Sequence, residues 1–314
     1  MITSGNLTTD DWSTWSNCLW FKDCPKKSTL NTIPEKKAVP EGSFDFDGDF
    51  IQNLKSFVQS LMPHKTQNYK DLLEINIDDY LISDIDIVLI ASIPGRHAGE
   101  DIEKYGHKRV ASVLNKIGFV DPVAMKSKKH VLTYQTSSVG NLDEKFLKEI
   151  LSSFLPNYIT VDELVAGKKP KGKKGGVNLG QDLASNRVRV VFPSREYIEN
   201  SIEGPDYSGC LILNPDMYQK DTFCKQIFHH FQGTEDYAFH EGIIPHLKVF
   251  IVADESGNID DDTYIYFGSH NFSPSAWGRY EKDCTQISIS NTELGVLIPP
   301  RKGKYEFFCR SINF

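Results

Sequence analysis

One short pattern occurs twice in the chain, and it limits the fold more than any other feature of the sequence. Ser4-Gly-Asn6-Leu-Thr8 leads to Trp12, and Ser269-His-Asn271-Phe-Ser273 leads to Trp277. Both read Ser-x-Asn-apolar-hydroxyl, with a Trp six residues after the Asn. Five matches at equal offsets are improbable by chance, so the chain is expected to hold parts of two homologous half-sites. The two are unequal. His246-Leu-Lys248 precedes the second copy, and period-two alternation along a strand puts the imidazole and the ammonium on one face, where together they suit a phosphate. The corresponding pair for the first copy would lie upstream of Ser4, where the sequence has three residues.

Strands and helices alternate around these copies. Phe50, Ile51, Leu54, Phe57, Val58 and Leu61 recur at helical spacing up to Pro63, and Leu72, Leu73 and Ile75 suggest a second short helix. The continuous apolar run Ile85 to Ser92 reads as a buried strand ending at Pro94-Gly95. Helical spacing returns over residues 101 to 117 and from Asp143 to Phe154, with a strand at Val131 to Tyr134 between them. A strand at Val188 to Phe192 leads into a Pro193-started helix, and Phe223 to Phe231 is expected to be another helix, carrying His229 and His230 on a solvated face. Strands at Leu247 to Ala253, Tyr264 to Gly268 and Gln286 to Ser290 surround the second copy. Such alternation predicts an α/β fold.

Composition excludes several classes. With 39% apolar and 25% charged residues, the chain can bury a core, and no run of 18 apolar residues exists to span a bilayer. The formal charge of -7 means that any polyanion site must be local. The start MITSGNLTTDDW has neither the basic flank nor the apolar run of a targeting peptide. Six cysteines form no CxxC, so reduced thiols are expected and zinc is not. Lys168 to Gly176, with five lysines plus Pro and Gly, reads first as a solvated loop.

HLK followed by GSHN resembles the HxK and GSxN signature of the phospholipase D superfamily. The longer string SHNFSPSAWG followed by Glu293-Leu-Gly-Val is similar to the tyrosyl-DNA phosphodiesterase branch of it. SIPGR at Ser92 to Arg96, YGH at Tyr105 to His107 and SSVGNL at Ser137 to Leu142 resemble that branch in the same order. The resemblance implies a phospholipase D-like mixed sheet flanked by helices. Residues 83–314 would form the second half-domain, and residues 1–82 the remnant of the first.

It also implies a set of roles. His246 would protonate the leaving tyrosine and later activate water, a task suited to imidazole. Lys248 and Asn271, with Asn6 from the other half, would hold phosphoryl oxygens. By offset, Asp11 would orient His246, and Glu293 would orient a nucleophilic His that this sequence lacks. The absent nucleophile leads to the expectation that the isolated chain is inactive. Asn17 stands where relatives often carry Gln. Ser137, Ser138, Asn141 and Ser273 would contact the DNA backbone, although the first three also read as ordinary turn residues. Asp254, six residues after the Lys, is not counted. No metal or cofactor is expected, since His and Lys replace the Lewis acid. The expected partner is single- or double-stranded DNA carrying a 3′ protein or peptide adduct, such as a topoisomerase I peptide, with a nuclear location and no membrane. The rival readings are a non-catalytic DNA-binding or interaction fragment and, behind it, a phospholipase acting on lipid.

Overall fold

A computed structural model of the chain describes residues 1–6, 8–13, 15–35, 38–61, 76–119, 130–156, 187–231 and 242–300, without the side chains of residues 10, 11 and 231. The expected helix at Leu72 to Ile75 and the Lys-rich segment lie outside these residues. The strands are β1 (Ile2–Thr3), β2 (Leu19–Trp20), β3 (Val88–Ser92), β4 (Gly95–Ala98), β5 (His130–Gln135), β6 (Ser138–Val139), β7 (Val188–Pro193), β8 (Ile212–Leu213), β9 (Phe228–Phe231), β10 (Val249–Asp254), β11 (Tyr264–Gly268), β12 (Arg279–Glu281), β13 (Gln286–Ile289) and β14 (Glu293–Ile298). The helices are α1 (Thr9–Ser13), α2 (Phe46–Leu61), α3 (Gly106–Lys116), α4 (Glu144–Phe154), α5 (Arg195–Glu199), α6 (Pro215–Tyr218) and α7 (Pro274–Trp277).

Seven strands form one mixed sheet in the order β3-β14-β11-β10-β5-β7-β9. The pairs from β3 to β5 are antiparallel, while β5-β7 and β7-β9 are parallel. Alternate residues of the central strands enter different cores. Phe250, Val252, Tyr264 and Tyr266 pack beneath α3 and α4 with Val110, Leu114, Phe146 and Phe154, whereas Val249, Ile251 and Ile265 pack on the other face with Ile2 and Phe50. Both faces are therefore dry, which is why the strands read as continuous apolar runs rather than as alternating ones. Residues from both sides of the expected boundary at 82 share the second core.

Local signals place the helices. Asp143 caps α4, its Oδ1 accepting from the Phe146 amide at 2.9 Å, and Ser194 caps α5 through the Tyr197 amide at 3.1 Å. The expected Pro193 start therefore moves: Pro193 ends β7 and the helix begins at Arg195. Phe223 to Phe231 is not a helix. A 3-10 turn at Lys225–Ile227 leads into β9, where His229 and His230 sit on an edge strand opposite Val191 and Phe192. Aromatic side chains suit a pleated surface, and the open edge of β7 supplies the backbone partners.

Candidate active site

The residues singled out in the second copy converge at one end of the central strands. Register explains it. Val249 lies opposite both Gln135 and Phe267, so Lys248, one residue earlier, falls between Thr136 and Gly268. The Gly268 amide donates to the Lys248 carbonyl at 3.1 Å. Lys248 is 3% exposed, and its ammonium donates to the carbonyls of His246 at 2.8 Å and Ser4 at 3.4 Å. These two carbonyls fix the ammonium at the strand ends.

His246 is 8% exposed and is held by the N-terminal segment. Residues 15 to 17 run beside it: the His246 amide donates to the Ser16 carbonyl at 3.1 Å, and the Trp15 ring lies 5.2 Å from the imidazole. Nδ1 of His246 meets Oδ1 of Asn17 at 3.2 Å. The proton can be placed by following the network. Oγ of Ser4 accepts from the Cys18 amide at 2.9 Å, so its hydrogen goes to Asn17 Oδ1 at 3.0 Å. An oxygen that accepts from Ser4 also accepts from Nδ1–H, which puts a proton on Nδ1 of His246.

The same device recurs around the second copy. Ser269 donates to Oε2 of Glu293 at 2.5 Å and accepts from the Leu294 amide at 3.0 Å, and its own amide donates to the Leu294 carbonyl at 3.0 Å. Ser4 likewise sends its amide to the Cys18 carbonyl, at 3.1 Å. Asn17 is thus the counterpart of Glu293, with an amide in place of a carboxylate. Burial raises the carboxyl of Glu293 above its ordinary range, opposed by hydrogen bonds from Ser269 and Asn291 and by the charge of Lys248. Sequence reading noted Asn17 only as a departure, and its distance from Ser4 differs from that of Glu293 from Ser269, so no spacing rule finds it.

Asn271 is oriented by three donors. Its Oδ1 accepts from Thr136 Oγ1 at 3.2 Å, Ser137 Oγ at 3.2 Å and the Ser138 amide at 3.0 Å. The Ser137 hydroxyl and the Ser138 backbone N–H, in two residues expected along the DNA backbone, thus hold the amide of Asn271. Asn141 donates to the Asp143 carboxylate at 3.0 Å, and Ser273 caps α7 by accepting from the Ala276 amide at 3.2 Å. Asn6 is exposed and its carbonyl accepts from Trp12 at 2.8 Å. The side chain of Asp11, on α1, lies outside the described residues. Asp254 accepts from the amide and side chain of Asn258, which assigns it to the turn after β10.

His270 is excluded from surface chemistry by its burial. Its two ring nitrogens meet Tyr266 OH at 2.5 Å and Ser92 Oγ at 2.9 Å, its ring stacks on Trp277 at 4.2 Å, and burial lowers its pKa to about 3. Among the described residues, His130, Asp260 and Asp262 could present ligand atoms to a metal within 4.8 Å of one another. That group lies six residues along β10 from Lys248, about 20 Å away, and Asp260 already accepts from the Asp262 amide and Thr263 within its turn.

The model of the tyrosyl-DNA phosphodiesterase family matches residues 1–310. Tyrosyl-DNA phosphodiesterase 1 of Arabidopsis thaliana is 30% identical over 325 residues, which cover 100% of this chain and 47% of that relative. The chain thus spans about half the length of the curated relative it matches. The yeast tyrosyl-DNA phosphodiesterase structure superposes with a TM-score of 0.59 at 15% identity, covering 95% of this chain and 63% of that one. A point mutant of the yeast enzyme gives 0.58 at 14% identity, with the same coverage.

Proposed function

The chain belongs to the tyrosyl-DNA phosphodiesterase family, and from that premise we propose that it serves DNA repair by hydrolysing 3′ phosphotyrosyl linkages, such as those joining topoisomerase I to DNA, and related 3′ end blocks. The observation that supports this reading most directly is the pairing of His246 with Lys248 at the strand ends, with Asn17 holding Nδ1 so that Nε2 is the working nitrogen.

Each group has a step. A nucleophilic imidazole attacks phosphorus and forms the P–N bond of a phosphohistidine. The tyrosyl oxygen leaves with its electron pair and takes the proton from Nε2 of His246. Nε2, now a base, removes a proton from the water that cleaves the P–N bond. Lys248 and the amide of Asn271 would offset the negative charge that grows on the phosphoryl oxygens. A neutral oxygen at Nδ1 suits a ring that must both give and take a proton, because it fixes the tautomer without favouring the charged form as a carboxylate would. The partner is DNA, single- or double-stranded, with a 3′ peptide adduct, and the implied location is the nucleus.

The sequence contains one His-x-Lys pair, at His246 and Lys248. We therefore infer that these 314 residues lack the nucleophilic His-x-Lys, and the second reading, a DNA-binding piece without turnover of its own, rests on that single pair. A labelled oligonucleotide ending in 3′ phosphotyrosine should bind about tenfold more tightly than one ending in a 3′ hydroxyl, as charge-assisted hydrogen bonds to the phosphoryl group would give. It should not be cleaved above background. Equal affinity for the two ends would count against the substrate, and cleavage within about tenfold of a full-length relative, against an estimated loss of 10² or more when one of a coupled set is missing, would count against the missing nucleophile.

A further inference from the structure

The phosphodiester reading gives Asn271 a donor's task, and the surroundings of its amide show how that task is secured. An Asn side chain can sit either way round, with oxygen or NH2 facing a given neighbour, and the choice follows its hydrogen bonds. Around Asn271 the two hydroxyls of Thr136 and Ser137 could donate or accept, but the Ser138 backbone N–H can only donate. That N–H, 3.0 Å from Oδ1, decides the flip. Thr136 agrees with it: its oxygen accepts from the Phe272 amide at 3.1 Å, and its one proton is shared between the Ser138 carbonyl at 2.9 Å and Asn271 Oδ1 at 3.2 Å.

The bracket is also fixed in place. The Gly140 amide donates to the Phe272 carbonyl at 3.1 Å. A Cβ on Gly140 would come within 2.5 Å of the Ser273 side chain, so residues 136 to 140 can lie against the Asn271 corner only because position 140 is glycine. Through the register of β5 with β10, Thr136 stands beside Lys248.

We propose that Thr136, with the Ser137 hydroxyl and the Ser138 N–H, is a positioning element that locks the Asn271 amide with its NH2 toward the phosphoryl group of the substrate. The inference rests on the phosphodiester reading. Thr136 acts only through Asn271 and is a positioning residue, not a catalytic one. A carboxylate at 271 would satisfy the same three donors, yet turn a negative oxygen toward the phosphate.

The test uses the whole chain and an oligonucleotide ending in a 3′ phosphate, with binding followed by fluorescence anisotropy and the Asn271 side-chain NH2 followed by ¹⁵N NMR. Thr136→Val should weaken binding about fivefold, the value of one hydrogen bond, and Thr136→Ser should restore it. In an Asn271→Ala background, Thr136→Val should cost nothing further. Asn271→Asp should keep the melting temperature of the unsubstituted chain and yet bind more weakly than Asn271→Ala, which a purely structural role would not produce. The NH2 resonance should shift on binding. If the unsubstituted chain binds but Thr136→Val binds equally well, or Asn271→Asp binds as well as Asn, the proposal is overturned alone. Failure of the unsubstituted chain to bind the 3′ phosphate overturns the phosphodiester reading, and the proposal with it.

Discussion

Asn17 offers His246 a neutral oxygen where a carboxylate would offer a charge. Asn17→Asp should therefore raise the pKa of His246, since an anion at Nδ1 stabilises the imidazolium. An NMR titration of the ring should show the midpoint moving up by about one unit or more, as nearby opposite charges commonly do, and an unmoved midpoint would remove Asn17 from the network. Among the described residues, the two fully buried imidazoles give a separate pH dependence. Burial lowers His107 and His270 to about 3 in the fold, against 6.5 when unfolded. Between those values the unfolded chain binds more protons, so stability is full above about pH 6.5 and is lost as pH falls toward about 3, by up to about 1.4 kcal/mol per unit for each ring. Glu149 and Glu293, whose carboxyls are raised by burial, offset part of this nearer the carboxylate range. Urea midpoints should decline from pH 7 to pH 5, and a flat profile would show that these rings are not held neutral.

At the scale of elements, short motifs turn out to be seams between elements. Gly106 opens α3 at φ +59°, and a Cβ there would come within 2.3 Å of the Trp277 carbonyl at the end of α7. YGH and SAWG are thus two sides of one contact. Gly106→Ala combines left-handed strain with a backbone clash and should destabilise the chain by about 2 to 3 kcal/mol, read as a lowered urea midpoint. Gly268 and Gly295 face each other in the same way. A Cβ on either would come within 2.5 Å of Tyr266 OH, the group that meets His270. Ser273→Ala should cost about 1 kcal/mol through the lost cap of α7. If Ser273 also touches DNA, its loss should weaken oligonucleotide binding beyond what the stability change explains.

For the whole molecule, an ion pair between buried Arg109 and half-buried Asp49 joins the layers. Arg109 on α3 donates to the Leu89 carbonyl of edge strand β3, and its Nη2 meets both oxygens of Asp49 on α2 at 2.7 and 2.5 Å. Helices from opposite faces of the sheet are thereby tied around the β3 edge. Removing Arg109 strands the half-buried carboxylate of Asp49, so Arg109→Met should cost about 1 to 3 kcal/mol in denaturant unfolding. The double change Arg109→Met with Asp49→Leu should recover most of that loss. Additive losses in the double variant would show that the two side chains act independently.

The sequence by itself determined the α/β layering and the central strands, because apolar period is a property of adjacent residues, and through a family resemblance it singled out His246, Lys248 and Asn271, which the sheet brings to one end of its strands. The Ser-x-Asn repeat carried the expectation of two related half-sites. The sequence misjudged Phe223 to Phe231, because a short apolar run suits a strand as well as a helix until a neighbouring edge is available. Only the tertiary structure decided that Asn17 holds His246 across 229 residues, that Ser4 stands to Asn17 as Ser269 stands to Glu293, and that Thr136 to Ser138 orient Asn271. Such contacts depend on which chain segments the sheet register and the packing of the paired strands β1 and β2 bring side by side, and no local pattern of residues encodes that distance.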